Sequence, residues 1–439
     1  MKKGIVALLV VLALVIIVSP AIIGRLAEKS VDDNLNWAAA ESGDLVVSSE
    51  KFDRGWFSSE GQHRIEIKEG NLKAMLESVG APADGSDLPV LVINTHLDHG
   101  LIPVTSMSRE KGTLAPGLGS AVSTLSVELP DGESVDLPGT IYSNIGLGGD
   151  LQSNYVVEAG SLEDSGTTAT WGPSEIEVTT NPSRGDVEFA GNIGALSFTD
   201  GADSFDIDGL SFSGSQAPTE FGFAIGDIKL ALDAMSISSN GVQAGGLKHM
   251  TVDGKTELDN GRLSGRTLLE MESQAIPQLG EFSLVADISL EGADAVAVGA
   301  LQKVLEAQGA NPDPGQMFAT VEDDLRRLLA AGLELRFDQF DVTLPMGTVT
   351  TMFDIKVPEE DAATFDWTSL LLSTEASADI SVPEALVDMA MQMNPEAGAV
   401  VGMGFLQKNG DVYEMEAEYK KGLLTINGAP MPIPLGAFQ

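Results

Sequence analysis

From about residue 44 to residue 290 the chain alternates apolar and polar positions in short runs broken by Gly, Asp, Asn and Ser. In "FDIDGLSFS", Phe205 and Ile207 and then Leu210 and Phe212 alternate with polar neighbours. "FGFAIGDIKLALDAMSIS" does the same with Phe221, Phe223 and Ile225, then Ile228, Leu230 and Leu232. A period of two predicts strands with one buried face, and turn signals at this spacing predict antiparallel pairing. Asn260-Gly261 in "LDNGRLSG" predicts a two-residue hairpin. After residue 290 the period changes. Residues 293–309 read as a helix with a Gly stop, and 315–331 as a second helix carrying the pairs Glu322–Arg326 and Asp323–Arg327. In "LELRFDQFDVTLPMG", Leu333, Leu335 and Phe337 share one phase while Phe340, Val342 and Leu344 follow after a one-residue slip. That slip, at Asp338-Gln339, predicts a β-bulge. Residues 384–407 read as two short helices around Asn394-Pro395, and the chain closes on a hairpin that sets Tyr413, Met415, Ala417 and Tyr419 against Glu414, Glu416 and Glu418.

The expected fold is therefore α+β. An N-terminal transmembrane helix precedes a long, twisted, mostly antiparallel β-sheet domain with helices packed on it in the C-terminal third. The expected divisions are a membrane anchor or signal sequence at 1–24, an amphipathic lead-in at 25–43, a β-rich region at 44–290 and a mixed region at 291–439. The first of these rests on residues 4–23, which carry no charge and reach about 30 Å as a helix, the thickness of a bilayer's hydrocarbon core. Lys2 and Lys3 precede the run; Arg25, Glu28 and Lys29 follow it. The basic side stays cytoplasmic and the rest of the chain crosses. Ser19-Pro20-Ala21 roughly fits a signal-peptide cleavage site, while continuation of the run through Ile22 and Ile23 favours an uncleaved anchor.

Composition sharpens this picture. Only 5% of residues are aromatic against 43% hydrophobic, so the core is mainly aliphatic. There is no cysteine, which removes disulfides and thiolate chemistry. The net charge is −40, and without the first 23 residues 23 basic residues face 65 acidic ones, a charge of −42. Such a surface repels phosphate backbones and excludes nucleic acid as a partner. The acids are scattered, as on a solubilising surface, and a saline habitat would suit them.

Four stretches stand out together: a start in MKK, "FDRGWFSSEGQHRIEI", "NTHLDHGLIPV", and the closing "GDVYEMEAEYKKGLLTINGAPM". Their type and order resemble the bacterial YdgA-like family, a domain of unknown function (DUF945). The residues carrying the resemblance are Arg54, Gly55, Trp56, Phe57, Ser58 and Ser59, with His99 and Gly100 in the second stretch. The proline expected soon after His-Gly is delayed here to Pro103. The resemblance implies an envelope protein of Gram-negative bacteria, held in the inner membrane and facing the periplasm; it implies no catalytic residues. Read from the residues alone, "FDRGWFSSEGQHRIEI" is a strand, a corner at Gly55 and a second strand. Trp56 and Phe57 then either plug a sheet end or face a ligand or partner.

Other constellations carry less. His96, Asp98 and His99 are the only cluster with metal-ligand chemistry, but His99 points away from the other two on a strand and only His63 and His249 remain to help. The phase of His63 with Ile65 and Ile67 makes it a strand-face residue. "TDGADSFDIDG" lacks the spacing of a calcium loop, and the glycines at 117–120 and 146–150 read as loops without a phosphate-binding Lys. The methionines of 387–405 read as helix core, with an adaptable binding surface as the alternative. No cofactor or metal is expected, and no enzyme motif is found. The functional expectation is a structural or protein-interaction role in the envelope. The alternative is binding or transfer of a lipid or other hydrophobic ligand in a sheet-lined groove. The partners expected are the membrane, through the N-terminal helix, a phospholipid or envelope protein, and a second copy of the chain through exposed strand edges.

Overall fold

Alternation in the sequence becomes strand in the structure, a computed structural model that describes residues 45–54, 58–67, 88–99, 117–129, 132–146, 150–164, 166–181, 185–274, 280–308, 314–361, 365–394 and 397–431. The expected anchor and the lead-in at 25–43 lie outside these residues. Among the described residues no helix is long and apolar enough to cross a membrane. The chain is mostly antiparallel sheet with few helices, and it divides into two compact units. Unit 1 is 1–201 with 208–218, and unit 2 is 202–207 with 219–439. This seam falls inside the span that the pattern reading drew as one β-rich region.

In unit 1 the strands are β1 (Leu45–Arg54), β2 (Ser58–Ile67), β3 (Val90–His99), β4 (Gly117–Glu128), β5 (Ser134–Gly146), β6 (Leu151–Val157), β7 (Gly160–Asp164), β8 (Thr167–Trp171), β9 (Ser174–Asn181), β10 (Asp186–Ile193), β11 (Leu196–Asp200) and β13 (Leu210–Pro218). Antiparallel pairing runs β1-β2-β3-β4-β5-β6-β9-β10-β13, with β7-β8-β11 as a separate three-stranded ladder. Pairing is sequential as far as β6 and then skips, first to β9 and again to β13. Period two is visible in burial: along β6, Leu151, Ser153, Tyr155 and Val157 are buried while Gln152 is exposed. The glycines at 117 and 119 are not loop glycines, as the sequence led us to expect, but lie in β4. There a Cβ on Gly119 would stand 2.8 Å from the Asp98 carbonyl oxygen. Close backbone approach, not turn chemistry, explains that glycine.

Unit 2 holds β12 (Asp203–Ile207), β14 (Ala224–Leu232), β15 (Met235–Ser239), β16 (Val242–Asp259), β17 (Arg262–Ser273), β18 (Ser283–Asp294), β19 (Leu333–Leu344), β20 (Gly347–Val357), β21 (Glu375–Pro383), β22 (Gln407–Asn409), β23 (Val412–Lys420), β24 (Leu423–Ile426) and β25 (Ala429–Met431). The main ladder is β14-β16-β17-β18-β19-β20-β21-β23-β24-β25, all antiparallel, and β12-β15 extends the first half of β16. Asn260 and Gly261 have φ of 51° and 75°, the two positive values a type I′ hairpin demands. Lys421-Gly422 adopts the same geometry at 53° and 76°, so the lysine is held there by the turn. The register of β19 slips between Phe337 and Phe340, which is the bulge the phase break predicts.

Helices α1 (Ala295–Gln308), α2 (Pro314–Ala330), α3 (Trp367–Ser373), α4 (Glu384–Met393) and α5 (Ala397–Gly402) fall in the C-terminal third. The Asp294 carboxylate accepts from the Ala297 N–H at 2.9 Å and so caps α1, and the Arg327 guanidinium donates to the same carboxylate at 2.8 Å. Beyond the C-terminal end of α2, Arg262 Nη1 donates to the carbonyls of Ala331 (2.5 Å) and Gly292 (3.1 Å), placing a cation where the helix carbonyls end. Ala330, Val357, Phe365 and Leu370 then form a small buried core under α2 and α3, flanked by Leu333, Ile355 and Trp367.

Candidate functional site

The hairpin of β1 and β2 carries the first signature stretch. Arg54 lies opposite Ser59, and Ser58 lies opposite Asp98 of β3. The second signature stretch, which ends β3 at His99, is therefore a neighbour of the first in the sheet. Ser59 is only 2% exposed. Gly55, Trp56, Phe57 and Gly100 lie outside the described residues. The His96 ring stands between carboxylates, with Nε2 3.3 Å from Asp98 Oδ1 and Nδ1 3.8 Å from Glu60 Oε1. Among the described residues no group of three His, Asp or Glu side chains converges as a metal site would require. His63 is buried in phase with Ile65, on the strand face its spacing predicts. Two of the acids of 199–209 serve the pairing of β12 with β15: Asp203 accepts from Ser239 Oγ (3.1 Å) and the Asn240 N–H (2.7 Å), and Asp206 from Ser204 and Ser236.

The methionines of 387–405 divide. Leu386 and Val387 supply the buried side of α4, whereas Met393 and Met403 are 79% and 68% exposed, so these two are not the helix core that the sequence led us to expect. Met393 is the last residue of α4 and Met403 lies just past the end of α5, so neither stands inside a helix face that packs.

The sequence reading offered a sheet-lined groove but named no residues for an apolar face. Across unit 2, paired positions set Leu230, Val252, Leu269, Ala286, Phe340, Thr351, Ile380 and Met415 side by side on eight neighbouring strands. The next row on the same face is Ile228, Gly254, Thr267, Ile288, Phe337, Phe353, Ala378 and Ala417. Two rows hold no ionisable side chain. Eight strands spaced about 4.8 Å apart carry them about 34 Å across the sheet. Most of these side chains are half-buried, and Ile228 and Phe340 are 44% and 36% exposed. Phe337 and Phe353 meet edge to face at 5.9 Å between ring centres, beside Phe340. Among the described residues of unit 2, helices pack on this sheet at β18, β21 and β23. The core under α3 closes the end at Leu333 and Ile355, where the Tyr419 hydroxyl donates to the Leu371 carbonyl at 2.6 Å. Toward the other end of the strands, α4 packs on β21 and β23 beside buried Tyr413 and Pro383.

The opposite face of the same strands is charged. Arg266 donates to both carboxylate oxygens of Asp287, Nε to Oδ1 at 2.8 Å and Nη2 to Oδ2 at 2.5 Å. Those bonds hold the carboxyl of Asp287 below the usual carboxylate range despite its burial. Arg336 reaches Glu291 (2.7 Å) and Glu334 (3.2 Å), and Lys356 also faces Glu334. One face therefore carries the ion pairs, and the other is apolar and partly bare.

Comparison with known proteins adds a family and no chemistry. Protein YdgA of Escherichia coli (strain K12) is 25% identical over 286 residues, which is 61% of this chain and 54% of that protein. The match thus spans about half of the relative's length. No solved structure matches the chain. The model of the bacterial proteins of unknown function termed DUF945 matches residues 1–434, and the chain belongs to that family.

Proposed function

We propose that this is a membrane-anchored, periplasm-facing envelope protein that holds the acyl chain of a lipid along the open apolar face of unit 2. The observation that carries the reading is the row from Leu230 to Met415, apolar but for Thr351 and, apart from buried Ala286, left at least partly exposed. Monomeric proteins rarely leave a contiguous apolar patch of that extent without a partner for it. Its length also fits. An acyl chain spans about half of a ~30 Å hydrocarbon core, well within the ~34 Å of the row. With no ionisable group in the two rows, recognition on the face itself is of an apolar chain. The uncharged run at 4–23, preceded by Lys2 and Lys3, supports the anchor and the orientation. No catalytic step belongs to this role.

The test compares lipid retained by the wild-type chain and by a Leu269→Asp/Ile380→Asp variant, purified identically and extracted for mass spectrometry. A phospholipid present near one per chain in the wild type and depleted several-fold in the variant supports the reading. Equal lipid in both chains contradicts it. A second reading, docking of an envelope protein, is favoured by the exposed Met393, Val400 and Met403. Photocrosslinking from position 393 in cells tests it by asking whether one protein is captured and lost on Met403→Ser.

A further inference from the structure

The open face is not level along its rows. Their aromatic side chains are Phe337, Phe340 and Phe353, neighbours on β19 and β20, the fifth and sixth of the eight strands. The bulge brings them together. Residues three apart on a regular strand point to opposite faces, but the register of β19 slips between Phe337 and Phe340, and both share the face of Ile288 and Ala286 on β18. From the other face Asp338 holds the bulge, 3.7 Å from Arg336 Nε and accepting from Ser289 Oγ at 3.4 Å. Phe337 and Phe353 stand edge to face, and Phe340 beside them is 36% exposed. Small side chains flank the rings: Ala286 is opposite Phe340 on β18, Ala378 is opposite Phe353 on β21, and Ala417 follows on β23. A phenyl ring reaches well beyond an alanine methyl, so the three rings form a ridge across the rows, with lower ground on both sides.

We infer that this ridge makes the face select a cis-unsaturated acyl chain, bent where it crosses Phe340 and Phe353. The inference rests on the acyl-chain reading of the open face and names the kind of chain that face takes. Aromatic rings carry the largest apolar area of any side chains here, so a chain gains most by lying over them. A straight chain in that position touches the rings and stands off the alanines. It forfeits contact on both flanks, because a gap of about 0.5–1 Å already loses a quarter to a half of the dispersion attraction. A chain with a cis double bond at its middle carries a fixed bend. Its vertex sits on the ridge, and its two arms descend to Ala286 on one side and to Ala378 and Ala417 on the other. A saturated chain takes that shape only by giving up its extended torsions. A trans double bond keeps the chain straight.

The test offers the full chain fluid vesicles holding equal parts of three phosphatidylethanolamines of equal chain length: saturated, cis-monounsaturated at mid-chain and trans-monounsaturated at mid-chain. Each lipid is counted on the re-isolated protein. The cis lipid is expected to exceed the trans lipid by about threefold, within what one strained torsion supplies. A Phe340→Leu/Phe353→Leu chain keeps the face apolar and lowers the ridge, and is expected to retain lipid with the ratio near one. Phe340→Leu alone, at the most exposed of the three rings, is expected to give an intermediate ratio and replaces the double variant if that does not fold. Equal uptake of the three lipids by the wild type, a preference for the straight chains, or a cis preference unchanged in the leucine variants overturns the ridge assignment and leaves the acyl-chain reading standing. Uptake of none of the three overturns both.

Discussion

The two units build antiparallel sheet from the same period-two pattern and finish it differently. In unit 1 one face is sealed: Ile65, Leu91, Val127, Ile141, Tyr155 and Ile176 are all between 2% and 7% exposed. In unit 2 the equivalent positions from Leu230 to Met415 stay mostly half-exposed. Each sealed aliphatic side chain contributes about 1.5–3 kcal/mol, whereas a half-bare one contributes a fraction of that. Unit 1 thus spends its apolar face on stability, and unit 2 keeps much of its own face free for a ligand.

Core truncation breaks this contrast most sharply. Ile176→Ala, at 4% exposure, is expected to cost about 3 kcal/mol. Phe340→Ala, at 36% exposure, is expected to cost about 1 kcal/mol while lowering lipid content. Urea denaturation of each variant checks both costs. If Phe340→Ala proves as damaging as Ile176→Ala, the face of unit 2 is core.

Glycine substitution sharpens the picture of unit 1. A Cβ on Gly191 would stand 2.5 Å from the Phe212 ring, and one on Gly160 2.7 Å from Trp171. These aromatics lie across the glycines on paired strands and stand in for the missing side chains. Gly191→Ala is expected to cost about 2 kcal/mol by forcing the ring aside. In unit 2, Gly254→Ala, which meets an exposed Ile228 methyl at 3.0 Å, is expected to cost less, and thermal melts of the two variants rank them.

Two titrations give the smallest effects. Asp287 has a depressed folded pKa, so its contribution is full above 3.8 and is lost as pH falls through the folded value. Asp287→Asn is expected to cost about 1 kcal/mol at neutral pH, kept low because the guanidinium is solvated, and to flatten the acid limb of a stability–pH curve. Tyr155 moves the other way. Burial raises its hydroxyl from 10.0 to about 12, so its contribution is full below pH 10 and fades as pH rises toward 12. Tyr155→Phe, which removes the bond to the Pro138 carbonyl, is expected to cost about 1 kcal/mol and to abolish that alkaline loss.

How much of this was readable beforehand depended on whether the signal was local. The Asn260-Gly261 turn, the bulge at Asp338-Gln339, the helices near 295 and 314, and the Tyr413–Tyr419 face were legible because each lies within one run of chain. The pairing of β6 with β9 and of β10 with β13 was not, because nothing in either strand names a distant partner. The contrast between the units was hidden for the same reason. "DIKLAL" in β14 and "LQSNYVV" in β6 alternate alike, and only the third dimension decides which face is covered. Of the signature residues, Arg54, Ser58, Ser59 and His99 fall on adjacent strands. The meeting of Lys248 and Glu281 was illegible, since those side chains are 33 positions apart and meet only through the pairing of β16 with β17 and of β17 with β18.

The most direct measurement is photocrosslinking with a lipid that carries a diazirine on its acyl chain, followed by peptide mapping of the labelled chain. Labels concentrated on the β16 to β21 segments around Leu269, Phe340 and Ile380, and absent from the buried face around Ile141 and Ile176, are the predicted result. Labels spread evenly over both units, or confined to unit 1, would contradict a lipid-holding face in unit 2.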